Sequence, residues 1–207
     1  MQTGLDHLIL GINDLERGIA WVEQKTGVRA AFGGVHPGRG TRNALLSLGT
    51  DCYLEIIAPD PQQWAPTWFS QILNMPEPRL ISWAVHTSDL ASLAQTARGT
   101  GIAIDGPHDG ARTRPDGKAL SWKSFHLRDN RGGLLPFFIE WSSDSVHPAT
   151  DAPSGCTLTD FHLESPDADE LARACQSLAV DVAVILGKKP LMNGRIESPK
   201  GVVELTS

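Results

Sequence analysis

The strongest constraint on this chain is that its sequence starts over. The run LDHLILGINDL (5–15) alternates apolar and polar residues and ends in Asn-Asp-Leu; LISWAVHTSDL (80–90) does the same and ends in Ser-Asp-Leu, so that Asp14 and Asp89 stand 75 residues apart. A repeat of this length marks a supersecondary unit that buries its apolar face only against a neighbour. After the first run, Leu15, Ile19 and Val22 at i, i+4 and i+7 predict a helix stopped by Gly27, with Asn13 expected as its N-cap and Glu16 reaching back. FGGVH (32–36), TRNALLSLG (41–49) and DCYLEIIAP (51–59) then read as three strands, the last two joined by a tight turn. The second unit repeats the order, with a helical stripe of Leu90, Leu93, Ala94 and Ala97 followed by ALSWKSFHLRD (119–129) and LLPFFIEW (134–141). A polar insertion, GPHDGARTRPDGK, precedes its hairpin and is expected to form a lid or wall. A shorter third restart, LTDFHLESPDADEL (158–171), carries Leu171, Ala174, Cys175 and Leu178 as its stripe.

The predicted fold class is therefore α+β, built of repeated βαβββ modules. Residues 1–146 are expected to hold a pair of modules (4–58 and 79–142), and 155–207 a partial third. Two linkers divide them: one (59–78) with a short amphipathic helix around Trp68–Leu73, the other (142–155) rich in Ser, Pro and Asp. A formal charge of −6 without any Lys/Arg run offers no footprint for a nucleic-acid backbone. The N-terminus has no basic region before its short apolar stretch, and no apolar run approaches the roughly 20 residues of a membrane helix. A cytoplasmic protein is expected, without nucleic acid or membrane among its partners. Cys52, Cys156 and Cys175 have no paired spacing and read as reduced thiols in or near the core.

Strand alternation puts Leu8, Leu10 and Ile12 on the face that receives the helix, together with Asp6, and leaves His7 on the opposite, inner face. Glu55 in the middle of YLEII is out of place unless paired, hydrogen-bonded or metal-bound, and Glu140 in FFIEW and Glu204 in VVELT repeat the anomaly. No phosphate-binding Gly-rich loop and no GxSxG elbow is present.

At LDHLILGINDLE, HPGRGTRNALLSLG, YLEIIAPDP and LPFFIEW the sequence resembles the glyoxalase-like domains of the vicinal oxygen chelate superfamily. The resemblance implies paired modules forming a cupped sheet, and a divalent metal (Zn, Mn, Ni or Fe) held by one residue from each first strand and a Glu from a fourth strand. Carried over by position, it assigns His7, Glu55 and Glu140 as metal ligands, with Glu140 or Glu55 as catalytic base. Ser82, 75 residues after His7, takes the place of the second first-strand ligand, where a neutral hydroxyl is a poor donor.

Each residue has a plainer reading. His7 is equally a hydrogen-bonded core histidine, and Glu55 and Glu140 are equally partners of Arg42, Arg112 or Arg114 in a polar cup. His36, Arg42, Asn43, Ser82, Arg114 and Trp122 are the expected substrate-binding residues, the last two suiting an anionic or planar ligand. His86 could approach the cup from its strand end, and Asp160, His162 and Glu204 could form a vestigial site. Two functions follow. One is a metal-assisted lyase, isomerase or dioxygenase-like enzyme acting on a small molecule with vicinal oxygens; the other is a protein that binds or sequesters a small molecule in the same cup. The unpaired third unit suggests a homodimer.

Overall fold

The computed structural model describes residues 2–66, 69–113, 117 and 119–207, the side chain of Thr113 excepted. The first unit runs β1 (Thr3–Gly11), α1 (Leu15–Thr26), β2 (Ala31–His36), β3 (Thr41–Ser47) and β4 (Tyr53–Pro59). The second runs β5 (Arg79–Thr87), α2 (Leu90–Gly99), β6 (Ile104–Thr113), β7 (Ala119–Leu127) and β8 (Phe137–Trp141). Their strands form one eight-stranded sheet in the order β2-β3-β4-β1-β5-β8-β7-β6, with β1 and β5 antiparallel at the centre. Each first strand pairs in parallel with its own fourth strand, β1 with β4 and β5 with β8. The sheet is curled: the buried Arg112 on β6 donates to the Gly33 carbonyl on β2, joining its two end strands.

The aspartates set 75 residues apart cap the two helices. Asp14 accepts from the Arg17 N–H at 3.0 Å and Asp89 from the Ser92 N–H at 3.0 Å, each relieving one of the donors a helix start leaves free. Asp14, rather than Asn13, is thus the N-cap of α1, and Gly27 ends that helix at φ 80°. The polar insertion of the second unit is largely strand rather than loop, since β6 extends through residues 104–113 against β7. Its Gly, Pro and Arg content hid a sheet-edge strand, where missing or irregular pairing is tolerated. The expected helix around Trp68–Leu73 is a 3-10 turn at Ser70–Asn74, Trp68 lying outside the described residues.

After a short helix, α3 (Pro148–Asp151), the third unit runs β9 (Thr157–Ser165), α4 (Ala168–Ser177), β10 (Ala183–Leu186), β11 (Leu191–Ser198) and β12 (Gly201–Thr206). Its sheet has the order β10-β9-β11-β12, so its first strand lies in the interior beside the second and third rather than beside the fourth. The element order of the first two units recurs, but not their pairing. This sheet docks within its own chain: Phe161 meets Trp83 of β5 edge to face at 5.0 Å, and the Leu158 N–H donates to the Leu48 carbonyl. Leu163, Met192, Val203 and Leu205 join Leu8, Leu10 and Trp83 in one continuous core. The third unit thus finds a packing surface within its own chain. The three cysteines are unbridged, Cys156 and Cys175 buried and Cys52 half-buried. Among the described residues no helix is long and apolar enough to cross a membrane.

Candidate functional site

The concave face of the eight-stranded sheet encloses a cavity of about 190 Å³. Apolar Ile9, Ile57 and Phe137 line it beside polar His7, Asn43 and Glu55. Alternation accounts for most of this lining. On β4, Tyr53, Glu55 and Ile57 face inward; on β3, Thr41 and Asn43 do; on β8, Phe137, Ile139 and Trp141 do. Of the residues expected in the site, His7, His36, Asn43, Glu55 and Trp122 line the cavity, while Arg42, Ser82 and Glu140 do not. Arg114 lies outside the described residues.

Glu140 and Arg42 point away from the cavity by the same alternation. Glu140 sits between inward-facing Ile139 and Trp141, and its carboxylate accepts from the Leu90 N–H at 3.1 Å, the first backbone donor of α2. A carboxylate there satisfies an orphan N–H at the positive end of the helix dipole. Arg42 alternates with Thr41 and Asn43. Ser82 is buried opposite Ile9 on β5 without reaching the cavity.

At the centre of the cup Glu55 is 7% exposed. Its Oε1 accepts from the Asn43 amide at 2.5 Å, and its two oxygens stand 3.6 Å from His36 Nε2 and 3.6 Å from His7 Nε2. Both separations are too long for a hydrogen bond. His36 Nδ1 faces the Thr41 hydroxyl at 2.9 Å, and burial pulls the His36 imidazole below its ordinary value, so that it is neutral at neutral pH. The His7 ring stacks on Tyr53, with centroids 4.5 Å apart, and meets Phe137 edge-on. His126 stacks on Phe137 at 4.8 Å, and burial depresses it to about 4. Trp122 and Trp141 form a tilted pair on the opposite wall, 5.4 Å apart.

Behind the cup lies a residue that strict alternation assigned to the helix side. A β-bulge between Leu5 and His7 breaks the pairing of β1 with β5 at Asp6. Asp6 is fully buried; its Oδ1 is 2.6 Å from His7 Nδ1, and its Oδ2 accepts from Trp141 Nε1 at 2.9 Å and stands 3.1 Å from His147 Nε2. Burial opposes its ionisation, but the hydrogen bonds from His147 and His7 outweigh it and hold the Asp6 carboxyl well below the usual carboxylate range. His86 Nδ1 lies 3.7 Å from the same oxygen. A bulge leaves no mark in the sequence, which is why Asp6 was missed; His147 was passed over because it falls in a linker. In the third unit Asp160 and His162 do meet, at 2.6 Å, but Glu204 faces Arg195 instead.

The resemblance implied metal ligands at His7, Glu55, Glu140 and the place of Ser82. Only His7 and Glu55 reach the cavity, and His7 Nδ1 is engaged by Asp6. Among the described residues no grouping of three or more His, Cys, Asp and Glu is arranged to hold a metal ion. The donor set does not fit the metal centre that the resemblance implied.

Comparison with solved structures shows that this architecture recurs. A hypothetical protein from Staphylococcus aureus matches with a TM-score of 0.69 and 15% identity over 99% of this chain and 85% of that one, third unit included. The methylmalonyl-CoA epimerase from Mycobacterium tuberculosis matches with a TM-score of 0.51 and 23% identity, covering 67% of this chain and 88% of that one. A Streptomyces coelicolor methylmalonyl-CoA epimerase variant in complex with 2-nitronate-propionyl-CoA matches with a TM-score of 0.51 and 20% identity, covering 72% and 100%. At these identities the likeness is one of fold alone. No curated protein matches the sequence. The family model of the glyoxalase-like domain matches residues 5–179, from the first strand through the helix of the third unit, and the chain belongs to that family.

Proposed function

We propose that the protein is an enzyme of acid–base chemistry that takes a proton from, and returns it to, a small carbon acid bound in the cup, with Glu55 as the base and His7 beside it. One observation carries this reading. His7 Nε2 and Glu55 Oε2 face each other across the cup at 3.6 Å, and with Glu55 ionised and a neutral His7 carrying its proton on Nδ1, toward Asp6, each turns a lone pair to the other. Two facing acceptors are complementary to a ligand that brings a proton between them. The proton lost from substrate carbon passes to Glu55 Oε2, and the electron pair left behind moves onto the neighbouring carbonyl oxygen. Return of the proton to carbon closes the cycle with no net redox change. Arg112, buried and lining the same cavity, places positive charge beside a developing oxyanion. The Trp122–Trp141 wall suits the apolar or planar part of the substrate. Epimerases by name occur among proteins of this fold, in keeping with such a reaction.

A binding protein without chemistry is the second reading, supported by the aromatic lining. No step of the proposed reaction runs through a metal. Deuterium incorporation from D2O into a panel of 2-oxo acids, α-hydroxyketones and acyl thioesters, followed by NMR, tests the proposal. Wild type should accelerate exchange in at least one compound, and Glu55→Gln should lose on the order of 10²-fold of that rate. Dialysis against a chelator should leave the rate unchanged. Compounds that bind with no exchange would establish the binding protein instead, and equal rates in wild type and Glu55→Gln would remove Glu55 as the base.

A further inference from the structure

We infer that Asp6 and His147 are positioning residues of the cup: Asp6 fixes the proton of His7 on Nδ1, and His147, supplied by the linker before the third unit, fixes Asp6. The inference rests on the reading of His7 and Glu55 as the proton-transfer pair. It follows from the donors and acceptors around Asp6, taken with a neutral His7. The Ala149 N–H donates to His147 Nδ1 at 3.3 Å, so a neutral His147 carries its proton on Nε2 and gives it to Asp6 Oδ2. Trp141 Nε1, a donor only, occupies the same oxygen at 2.9 Å. Asp6 Oδ1 is left to accept from His7 Nδ1 at 2.6 Å, and in a neutral His7 this leaves Nε2 bare toward Glu55. A free imidazole favours the opposite arrangement, so the buried carboxylate has to impose this one.

The linker is held in place for this task. The short helix α3 (Pro148–Asp151) has His147 as its N-cap, Ala149 packs with Leu45 and Tyr53, and the Ser47 N–H donates to the Pro153 carbonyl. His147 also meets Tyr53 and Trp141 edge-on, at 5.6 and 5.7 Å. The segment joining the module pair to the third unit therefore returns across the first module and closes the back of its site.

Nitrogen-15 NMR of histidine side chains in the full chain at neutral pH reads the arrangement without any ligand. His7 in wild type should show a protonated Nδ1 and a bare Nε2. Asp6→Asn should move His7 toward the Nε2–H form, which should rise from a minor species to roughly half or more. His147→Gln, whose amide still donates at the position of Nε2, should keep the wild-type signature, whereas His147→Leu should shift it. Wild type with Nε2 protonated, or variants that leave the His7 signature unchanged, would overturn the inference. Should Asp6→Asn not fold, the His147 pair decides alone, because one variant keeps the donor and the other removes it. If the signatures come out as expected while no carbon acid exchanges, the positioning stands and the proton-transfer reading falls.

Discussion

Single carboxylates in this chain show how one residue type serves opposite ends. Glu55 and Glu140 occupy the middle of matching fourth strands, and in sequence they look alike. Glu55 faces the cup, held by Asn43; Glu140 faces the helix layer and caps α2. Glu140→Gln should leave deuterium exchange within about twofold of wild type and cost roughly 0.5–1 kcal/mol of stability, measured by urea unfolding, through weakening of the helix-end interaction. A loss of exchange as large as that of Glu55→Gln would place Glu140 in the chemistry after all. The inward direction of His7, Asn43 and Glu55 was legible because strict alternation holds on β3, β4 and the inner part of β1. The outward direction of Glu140 was not legible, because its phase between inward Ile139 and Trp141 is fixed only by pairing with β7 and β5. Asp6 was illegible for the same kind of reason, since its direction depends on a bulge.

At the scale of elements, the helical stripes were readable because they are local, and the cap of α1 only to within one residue, whereas β6 and the pairing of the third unit depend on partners far along the chain. The elements lining the cup also bury titratable rings. His126 on β7 sits against Phe137 of β8 at about 4, against 6.5 for an unburied imidazole, and His36 on β2 is shifted in the same direction. Because these pKa values are lowered on folding, the unfolded chain binds protons first on acidification. Their contribution is whole above pH 6.5 and is lost progressively as pH falls toward 4. The Asp6 carboxyl, lowered by its own partners, has the opposite sign: it stabilises the fold above the ordinary carboxylate range and loses that contribution only as pH falls below it, outside this window. Wild type should therefore be less stable at pH 4.5 than at pH 7. His126→Phe, which keeps a ring against Phe137 and cannot titrate, should recover on the order of 1–2 kcal/mol of that difference in urea unfolding at the two values. An unchanged pH dependence would show that His126 reaches solvent in the native state.

For the whole molecule, the question is whether the third unit is a passenger or part of one cooperative structure. Its core residues belong to the same cluster as those of the eight-stranded sheet, with Phe161 against Trp83 and Gly194 so close to Leu8 that an added Cβ would stand 3.0 Å from its methyl. The linker adds backbone bonds from Ser47 to Pro153 and from Leu158 to Leu48. Separate units with few shared contacts unfold separately; a shared core couples them. Calorimetry should accordingly show one transition for the full chain. Phe161→Ala, which removes a half-buried ring from the seam, should cost about 2–3 kcal/mol, less than a fully buried Phe loses, and lower that single midpoint by roughly 5–10 °C. A second, cooler transition in which the third unit melts alone would show that it is only docked, and that the position of His147 does not depend on it. A single lowered transition would tie the linker, and through it the back of the cup, to the fold of the entire chain.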